Sequence, residues 1–259
     1  RALFNEVPFP MTISVLIPSA VRCDTPVIHA VSLVHIAVIS VVLTLLCPCV
    51  ALAQESYLRL SVGYETANDT RWQDNDCGST LPPALFGCGS GVDGRALGAY
   101  GDFGPTPAFE IALGKTVHSL FRLEAVLAQR NGFEFVGNAN FTGAGPVQPV
   151  SSSVSQFSAM AFGYVDLSLL FGLTPGDIEP YLGAGIGVAR NRTSPVTYTF
   201  PGLTQPAWTI VPGGGSYQFA LAATAGLGWP LTNNLMLDIA WRFSDYGRVE
   251  TDSGTMEIQ

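Results

Sequence analysis

Charge is scarce in this chain: Asp, Glu, Lys and Arg make up only 12% of its 259 residues, about half the share in ordinary soluble domains. What charge there is leans acidic, with a formal net charge of −8. That balance argues against nucleic acid as a partner, because phosphate binding needs a basic face. Histidine is nearly missing too. Beyond residue 53 only His118 is present, and no metal-ligand spacing or Walker sequence occurs. GAGIG at 183–187 evokes a phosphate loop but lies within a strand pattern and has no helix after it. No hydrophobic period of three to four residues is sustained after residue 53, which excludes amphipathic helices. No cofactor is expected.

The longest apolar run, residues 31–46, precedes Ala51-Leu52-Ala53. An apolar core followed by small residues at alternate positions is the pattern of secretory cleavage. Residues 1–53 are therefore expected to be a signal peptide with an upstream extension, cut between Ala53 and Gln54. A transmembrane helix is the rival, since a run of this length can span a bilayer. Met11 is a candidate start. Three of the five cysteines lie in this segment, leaving Cys77 and Cys88. An even pair in an exported chain is expected to form a disulfide.

Residues 54–259 are expected to form one domain built on seven stretches with period-two alternation. Leu235, Leu237, Ile239, Trp241 and Phe243 fall on one face of a strand, and Met236, Asp238, Ala240, Arg242 and Ser244 on the other. The remaining six run over Tyr57–Tyr64, Phe109–Val117, Leu120–Arg130, Phe157–Leu170, Ile178–Ala189 and Gln218–Trp229. The links between them are alternately long and short, as when one rim faces the periplasm and the other the outside. A hydrocarbon face backed by a charged one suits lipid outside and a polar lumen within. A secreted calyx with an apolar interior shares the alternation. Glycines on the polar face (Gly183, Gly185, Gly187, Gly226, Gly228) and aromatics at strand ends (Tyr64, Phe109, Phe121, Trp229, Phe243) favour the membrane form.

The expected fold is thus all-β, an antiparallel up-and-down transmembrane barrel of the eight-stranded type. Such a lumen is filled by side chains. Arg59, Glu110, Arg122, Glu124, Asp166, Glu179, Asp238 and Arg242 are expected to form an interior ion-pair network that closes it. His118-Ser119 is the only pair with catalytic residue types. It falls in a short turn, and alternation would send the two to opposite faces, so no enzyme is expected.

GYVDLSLLFG, IEPYLGAGIGVA and LDIAWRFSDYG resemble segments of small eight-stranded outer-membrane barrels of the OmpA/Opa-like "porin family". The resemblance implies a bacterial outer-membrane location, lipid and lipopolysaccharide as surroundings, and insertion by the barrel-assembly machinery. It also implies an eighth strand ending in an aromatic. Only 16 residues follow Phe243, so the chain is expected to be C-terminally truncated. The expected function is membrane integrity or surface contact through long loops with host or environmental ligands, with a small diffusion channel as the alternative. Loop 1, with Trp72, Phe86, Cys77, Cys88 and several acids, is the best candidate for specific contact.

Overall fold

The computed structural model describes residues 2–3, 11–18, 56–67, 70–168, 171–173, 178–203, 207–232 and 235–252. Ala51, Ala53, Gln54 and residues 174–177 lie outside them. All regular structure among the described residues is β-strand: β1 (Ala2–Leu3), β2 (Met11–Pro18), β3 (Ser56–Glu65), β4 (Thr70–Trp72), β5 (Ala99–Phe103), β6 (Thr106–His118), β7 (Phe121–Ala139), β8 (Pro149–Asp166), β9 (Glu179–Thr193), β10 (Val196–Phe200), β11 (Ala207–Val211), β12 (Gly214–Thr232), β13 (Leu235–Asp245) and β14 (Arg248–Val249). Every pairing between them is antiparallel.

Eight of the strands follow one another in the order β3-β6-β7-β8-β9-β12-β13-β2, and β2 pairs back onto β3. The pairing therefore runs as a closed circuit. The seven alternating stretches of the sequence supply seven places: β3, β6 and β12 run past the expected bounds at both ends, β7 and β9 past the C-terminal one, and β8 runs from Pro149 to Asp166 rather than over 157–170. The eighth place is filled from upstream of the apolar run. Met11–Pro18 pairs with β13 from Met236 to Trp241 and with β3 from Tyr57 to Gly63. Its backbone satisfies two edges that would otherwise be bare, with Leu16 buried and Val15 exposed.

Side-chain polarity reverses along β7 and β8. On the lower part of β7, Phe121, Leu123 and Leu127 are exposed while Glu124, Val126, Ala128 and Arg130 are buried. Asn131-Gly132 then forms a bulge, where the register against β8 shifts and Gly132 takes φ +85°. Above it Phe133 and Phe135 are buried while Glu134 and Val136 face out. The partner strand β8 matches: Phe157 faces out below, and Val150 and Val154 face in above. Apolar-out becomes apolar-in within one strand pair.

Above that switch the sheet widens. β5 continues along β7, followed by β4, β1 and β14, while β10 and β11 extend from β8. These short strands enclose an apolar core containing Trp72, Phe86, Phe103, Phe133, Phe135, Tyr198 and Phe200. The long links that turn chemistry marks as loops are thus largely built structure.

Candidate functional site

Four of the expected interior charges meet in one cluster. The Arg59 guanidinium donates to both oxygens of Glu124, with Nη2 at 2.7 Å from Oε2. Tyr57 and Tyr164 donate their hydroxyls to the same carboxylate at 3.0 and 2.9 Å. Arg59 also reaches Ser61 at 2.6 Å and Glu110 at 3.4 Å. Glu110 in turn accepts from Arg242 on β13. Glu110 lies 3.5 Å from Arg130, whose Nε donates to Glu65 at 2.6 Å and whose Nη1 donates to Ser158 at 3.0 Å. Three arginines and three glutamates, all buried, form one alternating chain from β3 through β6 and β7 to β13.

The other four expected charges do not join it. Arg122 meets Asp166 at 3.4 Å near the short-turn end, with its guanidinium over Tyr164 and Tyr181. Asp238 pairs with the Tyr181 hydroxyl at 2.8 Å. Glu179 has no ion pair among the described residues. Sequence reasoning missed Arg130 and Glu65, although each shares the alternation phase of residues it did single out: Arg130 with Arg122 and Glu124, and Glu65 with Arg59 and Ser61. The tyrosines were missed because a tyrosine on the polar face looks like an exception until its acceptor is placed.

Interior glycines give the aromatic rings room. A Cβ on Gly185 would meet the Phe162 ring at 2.7 Å, and one on Gly183 would meet Thr224 at 2.9 Å. Phe162 packs face to face with Tyr164 at 5.8 Å, and Arg242 lies 4.7 Å over the Phe162 ring. The interior of the strand circuit below the bulge is therefore occupied by rings and guanidiniums.

His118 and Ser119 are nearer than alternation implies, with Ser119 Oγ 3.3 Å from His118 Nδ1. The reason is that Ser119 sits in the turn after β6, where the alternation no longer applies. Both are exposed.

At the opposite end, loop 1 is held by its own chemistry. Cys77 and Cys88 stand at disulfide distance, with Cα atoms 4.8 Å apart. The Asp74 carboxylate accepts backbone N–H bonds from Leu85, Phe86 and Gly87 at 2.7–2.9 Å. Phe86 stacks on Phe141 at 5.2 Å and meets Tyr198 edge-on at 6.0 Å. Burial, with Asp74 nearby, pushes the Tyr198 hydroxyl above its ordinary pKa. Between loop 1, Tyr198, Val211 and residues 250–252 lies a cavity of about 390 Å³. A second polar cluster ties the base of the loop. Asp93 accepts from the Asn140 side chain at 2.8 Å and from Arg95 Nε at 2.7 Å. These bonds hold its carboxyl well below the usual range, at about 2.

No protein-family model matches the chain, and no solved structure matches it. It is similar to uncharacterized proteins of Brucella abortus (strain 2308), Brucella suis biovar 1 (strain 1330) and Brucella melitensis biotype 1. With each it shares 37% identity over 95 residues, which cover 36% of this chain and 31% of the relative. The chain thus matches less than a third of the length of those curated relatives.

Proposed function

We propose that the closed circuit is a transmembrane β-barrel of the eight-stranded, OmpA/Opa-like type, set in a bacterial outer membrane with loop 1 and the β10–β11 hairpin on the outer surface. Its work is non-enzymatic: membrane integrity and contact with surface ligands.

The polarity reversal at Asn131-Gly132 carries this reading. A soluble protein has no reason to turn hydrocarbon outward below one level and inward above it. A protein crossing from lipid into water does. On β12 the outward residues from Tyr217 to Trp229, both exposed, span twelve residue steps. At about 3.3 Å per residue and a tilt of about 40° they rise about 30 Å, the thickness of a hydrocarbon core. Aromatics stand near both limits, Phe157, Tyr217 and Phe219 above and Phe121 and Trp229 below, all exposed, as interfacial girdles do.

The ion-pair chain supports a closed barrel over a diffusion channel, because its six charged side chains are buried and cross the lumen. The apolar run at 31–46 is proposed as the export segment. Cleavage after Ala53 would sever β2 from the covalent chain whose circuit it closes.

The test is gel mobility of the full chain folded in detergent, with and without boiling, followed by planar-bilayer conductance. A heat-dependent mobility shift without steady conductance is expected. A water-soluble protein with no shift overturns the membrane reading, and steady open-channel current overturns the closed lumen.

A further inference from the structure

Basic side chains are few after residue 53, and those inside the strand circuit are committed. Arg59, Arg122, Arg130 and Arg242 pair with carboxylates there, and Arg95 pairs with Asp93. Of the rest, Arg71 and Arg248 lie on the short strands β4 and β14, and Lys115 lies near the short-turn end of β6. Arg190 and Arg192 stand together. They are two positions apart on β9, in the outward phase of Leu182, Ala184, Ile186 and Val188, and both are exposed. Neither has an ion pair among the described residues.

The surroundings of the two arginines combine charge with hydrocarbon. Arg190 is in register with Tyr217 on β12 and Phe157 on β8, both exposed. Its guanidinium lies 5.5 Å from the centre of the Tyr217 ring, which holds the charge over an aromatic face. Arg192 stands between Gly215 and Ser155, which leave it uncovered. Directly below are Val188 and Ile186, at 56% and 58% exposure, with Phe219 of β12 beside Val188. Two unpaired cations therefore cap a strip of exposed hydrocarbon. A soluble anion would use the charges and leave the strip in water. A molecule that uses both has an anionic head and an apolar tail.

We infer that Arg190 and Arg192 bind the phosphate headgroup of an anionic membrane lipid, whose acyl chains lie along Ile186, Val188 and Phe219. The inference rests on the membrane-barrel reading, in which Tyr217 marks the upper limit of the hydrocarbon band. Arg190 then stands at that limit, and Arg192 about 5 Å above it for a strand tilted by about 40°. That is the headgroup layer of a bilayer. The guanidinium fork suits phosphate because it donates two parallel hydrogen bonds to one group.

The experiment is native mass spectrometry of the detergent-folded full chain titrated with phosphatidylglycerol, with phosphatidylcholine as the lipid of no net charge. An arginine at a headgroup contributes about fivefold, so phosphatidylglycerol should be retained at least tenfold more tightly. Arg190→Gln/Arg192→Gln should weaken its binding about tenfold or more and leave phosphatidylcholine little changed. Arg71→Gln/Arg248→Gln, which removes two exposed arginines elsewhere, should leave both lipids unchanged. Soluble glycerol phosphate should not compete at equal concentration. Equal retention of the two lipids overturns the inference, as does unchanged affinity in the first variant, equal loss in the second, or competition by glycerol phosphate. Heat-shifted mobility of each sample reports the strand circuit separately, so a folded barrel without lipid preference sinks this inference and leaves the barrel standing.

Discussion

Glu110→Gln is the sharpest perturbation of the interior ion-pair chain. Glu110 is the central carboxylate of the chain, facing Arg242, Arg59 at 3.4 Å and Arg130 at 3.5 Å. Glutamine keeps the shape and one acceptor oxygen but removes the charge. Three buried arginines would then face only Glu65 and Glu124. Breaking a buried pair by neutralising one partner costs about 3–5 kcal/mol, because the surviving charge stays desolvated. Removing Arg242 as well, as Glu110→Gln/Arg242→Met, restores the balance of two against two and should recover a large part of that loss. The coupling between the two sites is expected at about 1–3 kcal/mol. The assay is equilibrium unfolding in urea from lipid vesicles, with the folded fraction read by heat-shifted mobility. A single-variant loss below about 0.5 kcal/mol, the size of an ordinary surface change, would refute the idea that this chain ties the wall together. So would additive behaviour of the two substitutions.

Three further outcomes follow from the same geometry. The Asp93 carboxyl, with a folded pKa of about 2 against an ordinary 3.8, stabilises loop 1 above its ordinary pKa, and that contribution is lost as pH falls toward 2. Carboxyl chemical shifts should show its midpoint near 2, and Asn140→Ala should move it upward; a midpoint near 4 in the parent chain contradicts the contact. Reducing the Cys77–Cys88 link, which closes a short loop, should release about 3 kcal/mol of loop constraint. Protease sites between residues 76 and 90 should then open while the heat shift survives; simultaneous loss of the heat shift contradicts the separation of mouth and circuit. Deleting residues 1–53 removes β2 and bares the edges of β3 and β13, at several kcal/mol per unpaired group in lipid. That variant should give no heat-stable compact band, and a compact band from it would show that β2 is dispensable.

The parts of this fold that turn apolar side chains outward are legible in the sequence because only one rule acts there. From Leu182 to Val188 the outward residues are all apolar and the inward ones are glycine, so the period of two is unbroken. Past the switch level the rule changes sign. A reader following Leu123, Ala125 and Leu127 outward meets Asn131-Gly132 and then finds Phe133 and Phe135 in the same odd-numbered positions but facing in. The alternation changes phase there, so the expected strand ends at Arg130 while β7 runs nine residues further, to Ala139. On β8 the continuation is hidden by Ser151, Ser152, Ser153 and Ser155, small polar residues that mimic a loop. The interior charges were legible as types on a face, but not as partners. Glu110 and Arg242 are 132 positions apart, and only closure of the circuit brings them together. Asp238 shows the converse. Its phase marks it as inward, yet its partner is a tyrosine hydroxyl rather than a guanidinium. The N-terminal strand could not be read at all, because MTISVLIP is short and lies ahead of a stretch that resembles an export signal.

The most direct test of a membrane-spanning circuit is quenching of single-tryptophan variants by lipids brominated along their acyl chains. Trp229 and Trp241 are exposed on the outward apolar face, whereas Trp72 is buried in the mouth. Variants keeping only Trp229 or only Trp241 should be strongly quenched in vesicles, and one keeping only Trp72 should not. Equal quenching of all three, or none for Trp229 and Trp241, would contradict a barrel with this face in lipid.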